Sequence, residues 1–350
     1  MKDIIINAKF LTQEMTGVQR YASAVSVELK RMGLKLRFLS PPNIIHSDLA
    51  RELDADIIGR STGSFWEQAD LPYHLNKIGR PYLLNLANMA PVSYANQGVV
   101  LHDLAFLRHP EWFSNVFAMW YGLAIPLIVK RSAHLFTISE FSKNEILDIF
   151  SAAGPKLVNA GNGLPSLPAV ETSAMADIKG PYILTYGGNN KRKNVDVVLD
   201  AMEKMDGPSP DLVVLGRRSA HFSGKKSRER DSSGVTFLSE ISDAELSALY
   251  QGAEALVYAS LYEGFGLPPL EALSFGCPSV LSDIPAHREI YEGAALFADP
   301  NSPESFAREI GMILGSEDLR RDLTEKGKKL IEKHTFKKVA ERIAGTIKAD

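Results

Sequence analysis

Apolar residues in this chain come in blocks of four to six, separated by segments where they recur at every third or fourth position. The blocks Asp3 to Ala8, Leu36 to Leu39, Tyr82 to Leu86 and Gly98 to Leu101 predict strands. Gln19 to Met32 carries Tyr21, Val25 and Leu29 at four-residue spacing and predicts a helix, as does Phe65 to Ile78. The alternation continues with a strand over His134 to Ile138 and a helix opened by Ser139 as N-cap. It then passes a Gly-, Asn- and Pro-rich stretch, Asn159 to Pro168. Beyond it, strands are expected over Tyr182 to Tyr186, Asp211 to Leu215, Val235 to Leu238 and Ala255 to Ala259, with helices over Val195 to Met205 and Asp243 to Tyr250. The run 224–230, rich in Lys and Arg, reads as a solvated loop. Strands alternating with helices predict doubly wound parallel sheets in the α/β class. At 350 residues the chain exceeds what one core serves, so two domains are expected, divided at 1–168 and 169–334.

One segment departs from this rhythm. Trp112 to Val129 runs for eighteen residues without a charge, which reaches the length at which a membrane span is considered. Ser114, Asn115, Gly122 and Pro126 interrupt it, so a buried or interfacial helix is expected instead. Its aromatic face, Phe113, Phe117, Trp120 and Tyr121, either packs under the sheet or dips into a bilayer.

Composition narrows the class of partner. With 45% hydrophobic and 23% charged residues the chain has a soluble globular make-up, and its net charge of −3 argues against nucleic acid. Residues 1–170 hold 16 Lys and Arg against 14 Asp and Glu, so the first half is mildly basic and compatible with an anionic acceptor or lipid surface. The single cysteine, Cys277, excludes an internal disulfide and reads as core filler. Ile4 to Ile6 is too short for a signal peptide and no cleavage region follows, so a cytoplasmic location is expected. No His, Cys and carboxylate cluster has metal-ligand spacing, and Asp54-Ala-Asp56 lies outside any strand exit and reads as surface.

Candidate chemistry concentrates at strand exits, where open parallel sheets bind ligands. Residues 252–283 read as strand, loop, helix and strand, with Glu263 in the loop, Glu271 early in the helix, and Gly264 and Gly266 framing the turn. Two carboxylates at one exit, with no cation between them in sequence, would be costly unless a polyol or a cation satisfied them. Taken alone, Glu271 could equally be a first-turn carboxylate favoured by the helix dipole. After Tyr186 the loop GGNNKRKN joins two glycines and three cations to a helix start, a cradle for a diphosphate. His102 and Asp103 close the strand from Gly98, and Gly17 precedes the first helix.

The stretch EGFGLPPLEAL, continued by GCPSVLSD, resembles the retaining glycosyltransferases of family 4, which carry a Glu, seven residues, Glu signature and two facing Rossmann-like doubly wound domains, the GT-B architecture. The resemblance implies a hexosyltransferase using a nucleoside-diphosphate sugar, with no cofactor and no metal. Glu263 would lie by the donor sugar and Glu271 on the ribose. Lys193, in the loop-ending RKN, would meet the diphosphate. The family often has an Arg where this chain has Gly188, so the second cation would be Lys191, Arg192 or Arg217. Gly17, Gly264, Phe265, Gly266 and Leu267 complete the implied donor site, and His102 with Asp103 would face the sugar or acceptor. HDL and SDIPAHRE lean toward GDP-mannose, Glu289 is a further candidate, and the acceptor would be a glycan or polyprenyl-linked sugar at the inner face of the membrane. Residues 335–350 would cross back to the first domain. A sugar-nucleotide epimerase or phosphorylase of the same architecture, or a non-catalytic nucleotide-sugar binding module, is the alternative.

Overall fold

In the computed structural model, residues 3–168, 178, 180–188, 190–205, 210–216, 228–230, 234–239 and 241–349 are described. The apolar blocks of the first half become β1 (Ile4–Asn7), β2 (Leu36–Ser40), β3 (Asp56–Ile57), β4 (Tyr82–Asn85), β5 (Gln97–Val100), β6 (His134–Thr137) and β7 (Leu157–Asn159). They pair in parallel in the order β3-β2-β1-β4-β5-β6-β7. The edge strands β3 and β7 were not expected, because two or three residues carry too little pattern to read. The second half forms β8 (Tyr182–Tyr186), β9 (Asp211–Leu215), β10 (Arg228–Arg230), β11 (Val235–Leu238), β12 (Ala255–Tyr258), β13 (Ser279–Ser282) and β14 (Leu296–Ala298). Their order is β10-β11-β9-β8-β12-β13-β14, parallel except that β10 runs antiparallel to β11. That pairing corrects the expectation of a solvated loop at 228–230, since backbone pairing at a sheet edge does not require an apolar run.

The chain divides into two units, Met1–Pro165 with His334–Asp350, and Ser166–Lys333, against the expected divisions after 168 and 334. The terminal helix Phe336–Ala349 packs in the first unit, where the Phe336 ring meets Tyr21 at 5.8 Å and Arg342 donates to the Ala160 carbonyl at 3.1 Å. Each sheet reverses its strand order once, between β1 and β4 in the first unit and between β8 and β12 in the second. At such a reversal the flanking loops diverge and leave a crevice at the carboxyl ends of the strands.

Helix Asn115–Arg131 settles against the core of the first unit through Ala124, Ile125, Ile128 and Val129, alongside Val99, Leu101 and Leu135. Phe113, Phe117, Trp120 and Tyr121 pack on the same core. The face left outside is aliphatic, with Val116 72%, Met119 63%, Leu123 64% and Leu127 44% exposed. Of the two readings the sequence left open for the aromatic face, packing under the sheet is the one the structure shows: large rings gain more by burial, and the smaller chains are left out. Among the described residues, no helix is long and apolar enough to cross a membrane.

Candidate active site

In the second unit the loops after β8 and β9 come within van der Waals distance because both carry glycine. A Cβ on Gly216, whose φ is +141°, would sit 2.5 Å from the Gly187 carbonyl oxygen. The loop from β8 passes through Gly188, at φ +94°, and a single 3-10 turn Lys191–Lys193 that Asn190 caps. It then starts helix Val195–Glu203. The Arg192 carbonyl accepts from the Leu261 amide at 2.8 Å, which ties this loop to the one leaving β12.

That tie brings the cations to Glu263. Lys193 Nζ donates to Glu263 Oε1 at 2.7 Å and also to the Tyr258 hydroxyl, which itself donates to Glu263 Oε1 at 2.8 Å. Arg192 Nη1 lies 3.8 Å from Glu263 Oε2. Burial pushes the Glu263 carboxyl up, but the charges of Arg192 and Lys193 and the Lys193 hydrogen bond outweigh it and hold the group well below the usual carboxylate range. Gly264, Phe265 and Gly266 are buried beside it, and Gly266, at φ +84°, caps helix Leu267–Ser274 with Pro268 and Pro269 in its first turn. Glu271 is buried in that helix and accepts from Tyr250 at 3.0 Å, whose hydroxyl also meets that of Tyr186 at 2.6 Å. The two glutamates thus have separate partners within the chain, so the expected cost of pairing them does not arise.

His287 was missed, although it stands in the quoted SDIPAHRE. Its Nδ1 donates to the Ser282 carbonyl at 3.0 Å, which leaves Nε2 as the lone-pair nitrogen, and a Cβ on Gly266 would lie 3.2 Å from it. Burial pushes this imidazole down to about 4, so it is neutral at pH 7. The neighbouring candidate Glu289 is exposed, because on helix Pro285–Tyr291 it faces away from the side that buries His287. Tyr258 was missed too; its only signal was a hydroxyl-bearing residue at the end of an apolar strand. Arg217 lies outside the described residues.

In the first unit, His102 is 5% exposed at the exit of β5, its Nε2 donating to the Leu86 carbonyl at 2.9 Å and its ring edge-on to Tyr21 at 4.7 Å. Burial lowers its pKa to about 4. Asp103 Oδ1 accepts from the Ala105 amide at 3.0 Å and so closes the following turn. Gly17 is exposed as the first residue of helix Gly17–Arg31. Asp54 and Asp56 pair with Lys30 and Arg37 on the surface. Among the described residues, no three His, Cys, Asp or Glu side chains are grouped to hold a metal ion.

Two parallel Rossmann-like sheets, with a cation and carboxylate cluster at the switch point of the second, define a GT-B type glycosyltransferase fold. Residues 174–330, most of the second unit, match the family of glycosyl transferases group 1. The chain is 28% identical over 221 residues to the O-antigen chain mannosyltransferase RfbU of Salmonella typhimurium, covering 62% of this chain and 61% of that one. It therefore spans about three fifths of the length of this curated relative. Among solved structures it is similar to sucrose-phosphate synthase of Thermosynechococcus elongatus, with a TM-score of 0.75 at 17% identity over 100% of this chain and 99% of that one. It is also similar to Anabaena HepE in complex with UDP and glucose, with a TM-score of 0.72 at 14% identity over the whole of both chains.

Proposed function

We propose that the protein is a retaining hexosyltransferase that moves a mannose-like sugar from a nucleoside diphosphate to a glycan or polyprenyl-linked acceptor in cell-surface polysaccharide or lipopolysaccharide synthesis. GDP-mannose is the favoured donor, and no cofactor is assigned. The observation that carries this reading is the cluster of Lys193, Arg192 and Glu263 at the switch point of the second sheet. Both cations stand at the start of helix Val195–Glu203, where a departing diphosphate gathers negative charge. Glu263 and Tyr258 hold the Lys193 ammonium in place for it. Glu271 takes the ribose hydroxyls; Gly188, Gly264 and Gly266 let backbone approach the donor, with Phe265 and Leu267 beside it.

With its Nε2 proton committed to Leu86, His102 offers the Nδ1 lone pair to a sugar hydroxyl, and Asp103 orients the turn that carries it. The bond from the anomeric carbon to the diphosphate oxygen breaks and that to the acceptor oxygen forms on the same face. The departing oxygen takes the acceptor proton, so no protein base is required. The similarity to O-antigen mannosyltransferase RfbU supports the sugar and the polysaccharide setting, and the UDP and glucose bound by HepE support a nucleotide sugar. Calorimetric titration with GDP, UDP, dTDP and ADP tests the reading. GDP is expected to bind best; preference for another base moves the donor, and binding of none removes the transferase assignment. Donor consumed equally fast without acceptor would indicate an epimerase.

Attachment to the inner face of the membrane goes with a lipid-linked acceptor. Val116, Met119, Leu123 and Leu127 form one exposed stripe on helix Asn115–Arg131, which contains no Asp or Glu. Exposed Lys130 and Arg131 end it, and Lys156 Nζ lies 2.7 Å from the Ser132 carbonyl. An aliphatic stripe beside three cations suits an anionic bilayer surface. Sedimentation with vesicles containing phosphatidylglycerol is expected to fall roughly tenfold in Leu123→Glu, since a charge on the stripe opposes insertion. Equal sedimentation of variant and wild type would remove the stripe from the contact.

A further inference from the structure

The first sheet has a switch point of its own, between β1 and β4, and it too holds a lysine and a glutamate. We propose that Lys9, held by the buried Glu67, is a hydroxyl-binding subsite for a neutral saccharide in the first unit. The inference rests on the transferase reading above and deepens it by placing an acceptor group.

The geometry is a built one. Asn7, the last residue of β1, is 6% exposed and directs its amide to Glu67 Oε1 at 2.9 Å and to Asn85 Oδ1, at the end of β4, at 3.0 Å. Glu67 Oε2 accepts from Lys9 Nζ. Glu67 itself is 1% exposed and comes from a π-helical turn, Trp66–Asp70, a distortion that recurs at functional sites. The next residue, Gln68, donates to the Ala90 carbonyl and accepts from the Val92 amide, both at 2.9 Å, which fastens the loop after β4. The turn therefore aims one side chain at the strand ends and the other at their loop.

A merely structural purpose explains this poorly. A buried ion pair contributes little net stability compared with apolar side chains of the same volume. Here the carboxylate has both oxygens engaged within the chain, whereas Lys9 keeps 13% of its side chain exposed and has Glu67 as its ion-pair partner. An ammonium has three donors, so it can give a hydrogen bond outward while Glu67 neutralises its charge. A neutralised donor suits a hydroxyl better than a phosphate.

Saturation-transfer NMR on the full chain with methyl α-mannopyranoside as probe, and inorganic pyrophosphate as competitor, tests this. Wild type is expected to show ring-proton transfer that survives pyrophosphate, and Lys9→Met/Glu67→Gln to bind the mannoside roughly tenfold more weakly, the order of loss for a charged hydrogen bond. Removing both partners together avoids leaving a lone buried charge. Lys9→Arg is expected to restore binding, which a packing role alone would not require. GDP affinity is read in parallel: if it is unchanged in the double variant while mannoside binding stays at the wild-type level, the subsite is wrong and the transferase reading stands. Displacement of the mannoside by pyrophosphate would show an anion site and overturn the proposal as well.

Discussion

Replacing Lys193 by alanine is expected to lower kcat/KM for sugar transfer about 10³-fold, the loss found when a preorganised donor to transition-state charge is removed. The same change should weaken nucleoside diphosphate binding roughly tenfold, because the anion loses a charge-assisted hydrogen bond. Among the described residues it also leaves Glu263, 8% exposed, facing Arg192 at 3.8 Å and the Tyr258 hydroxyl. Breaking a buried pair from one side costs about 3 kcal/mol, so the second unit should melt earlier. Stability and chemistry are separated by Lys193→Met/Glu263→Gln, which removes both charges: its melting temperature should recover while its turnover does not. Wild-type kcat/KM in Lys193→Ala would take the lysine out of the chemistry. Lys193→Arg is not expected to substitute fully, since a planar guanidinium cannot reproduce the approach of an ammonium to the Tyr258 hydroxyl and Glu263 Oε1 together.

Acid should destabilise each unit through a different histidine. Burial lowers the pKa of His102 in the first unit and of His287 in the second from 6.5 to about 4. Between those values the unfolded chain binds a proton that the folded chain refuses, so unfolding is favoured more as pH falls. Stability is fully present above about 6.5 and declines toward 4, by about 3 kcal/mol for each histidine, because each tenfold loss of proton affinity is worth about 1.4 kcal/mol. His74, also pushed down by burial and by the charge of Arg37, acts in the same direction. Glu263 works in a lower window: its folded pKa is depressed, so its contribution is present above 4.5 and is lost only below it. Urea midpoints measured from pH 7.5 to 5 therefore report the histidines, and those below 4.5 add the carboxylate. In His287→Gln the decline assigned to the second unit should vanish between pH 6.5 and 5. An unchanged slope would mean that His287 is charged in the folded protein.

The alternation of apolar blocks and periodic segments was enough to read two parallel α/β sheets, because strand and helix periodicities are properties of a few consecutive residues. The loop GGNNKRKN and the stretch EGFGLPPLEAL were legible for the same reason: glycines, cations and prolines mark turns and helix starts locally. The structure bears this out in the turn Lys191–Lys193 and in helix Leu267–Ser274. What failed were segments whose state is set by neighbours. Arg228–Arg230 is a strand only because β11 offers it an edge, and Asp56–Ile57 and Leu157–Asn159 are strands only because β2 and β6 do.

The same division runs through the candidate site. By itself the sequence determined which loops carry charge and which residue types stand at strand exits. Only the tertiary structure decided that Glu263 is neutralised by Lys193, seventy positions away, rather than paired with Glu271, and that Glu67 reaches Asn7 across sixty. It also decided that His287 is buried and neutral while Glu289 is not. The reason is physical: partner choice and burial depend on which strands become neighbours, and strand order is set by packing over the whole sheet, whereas backbone preference is set within one turn.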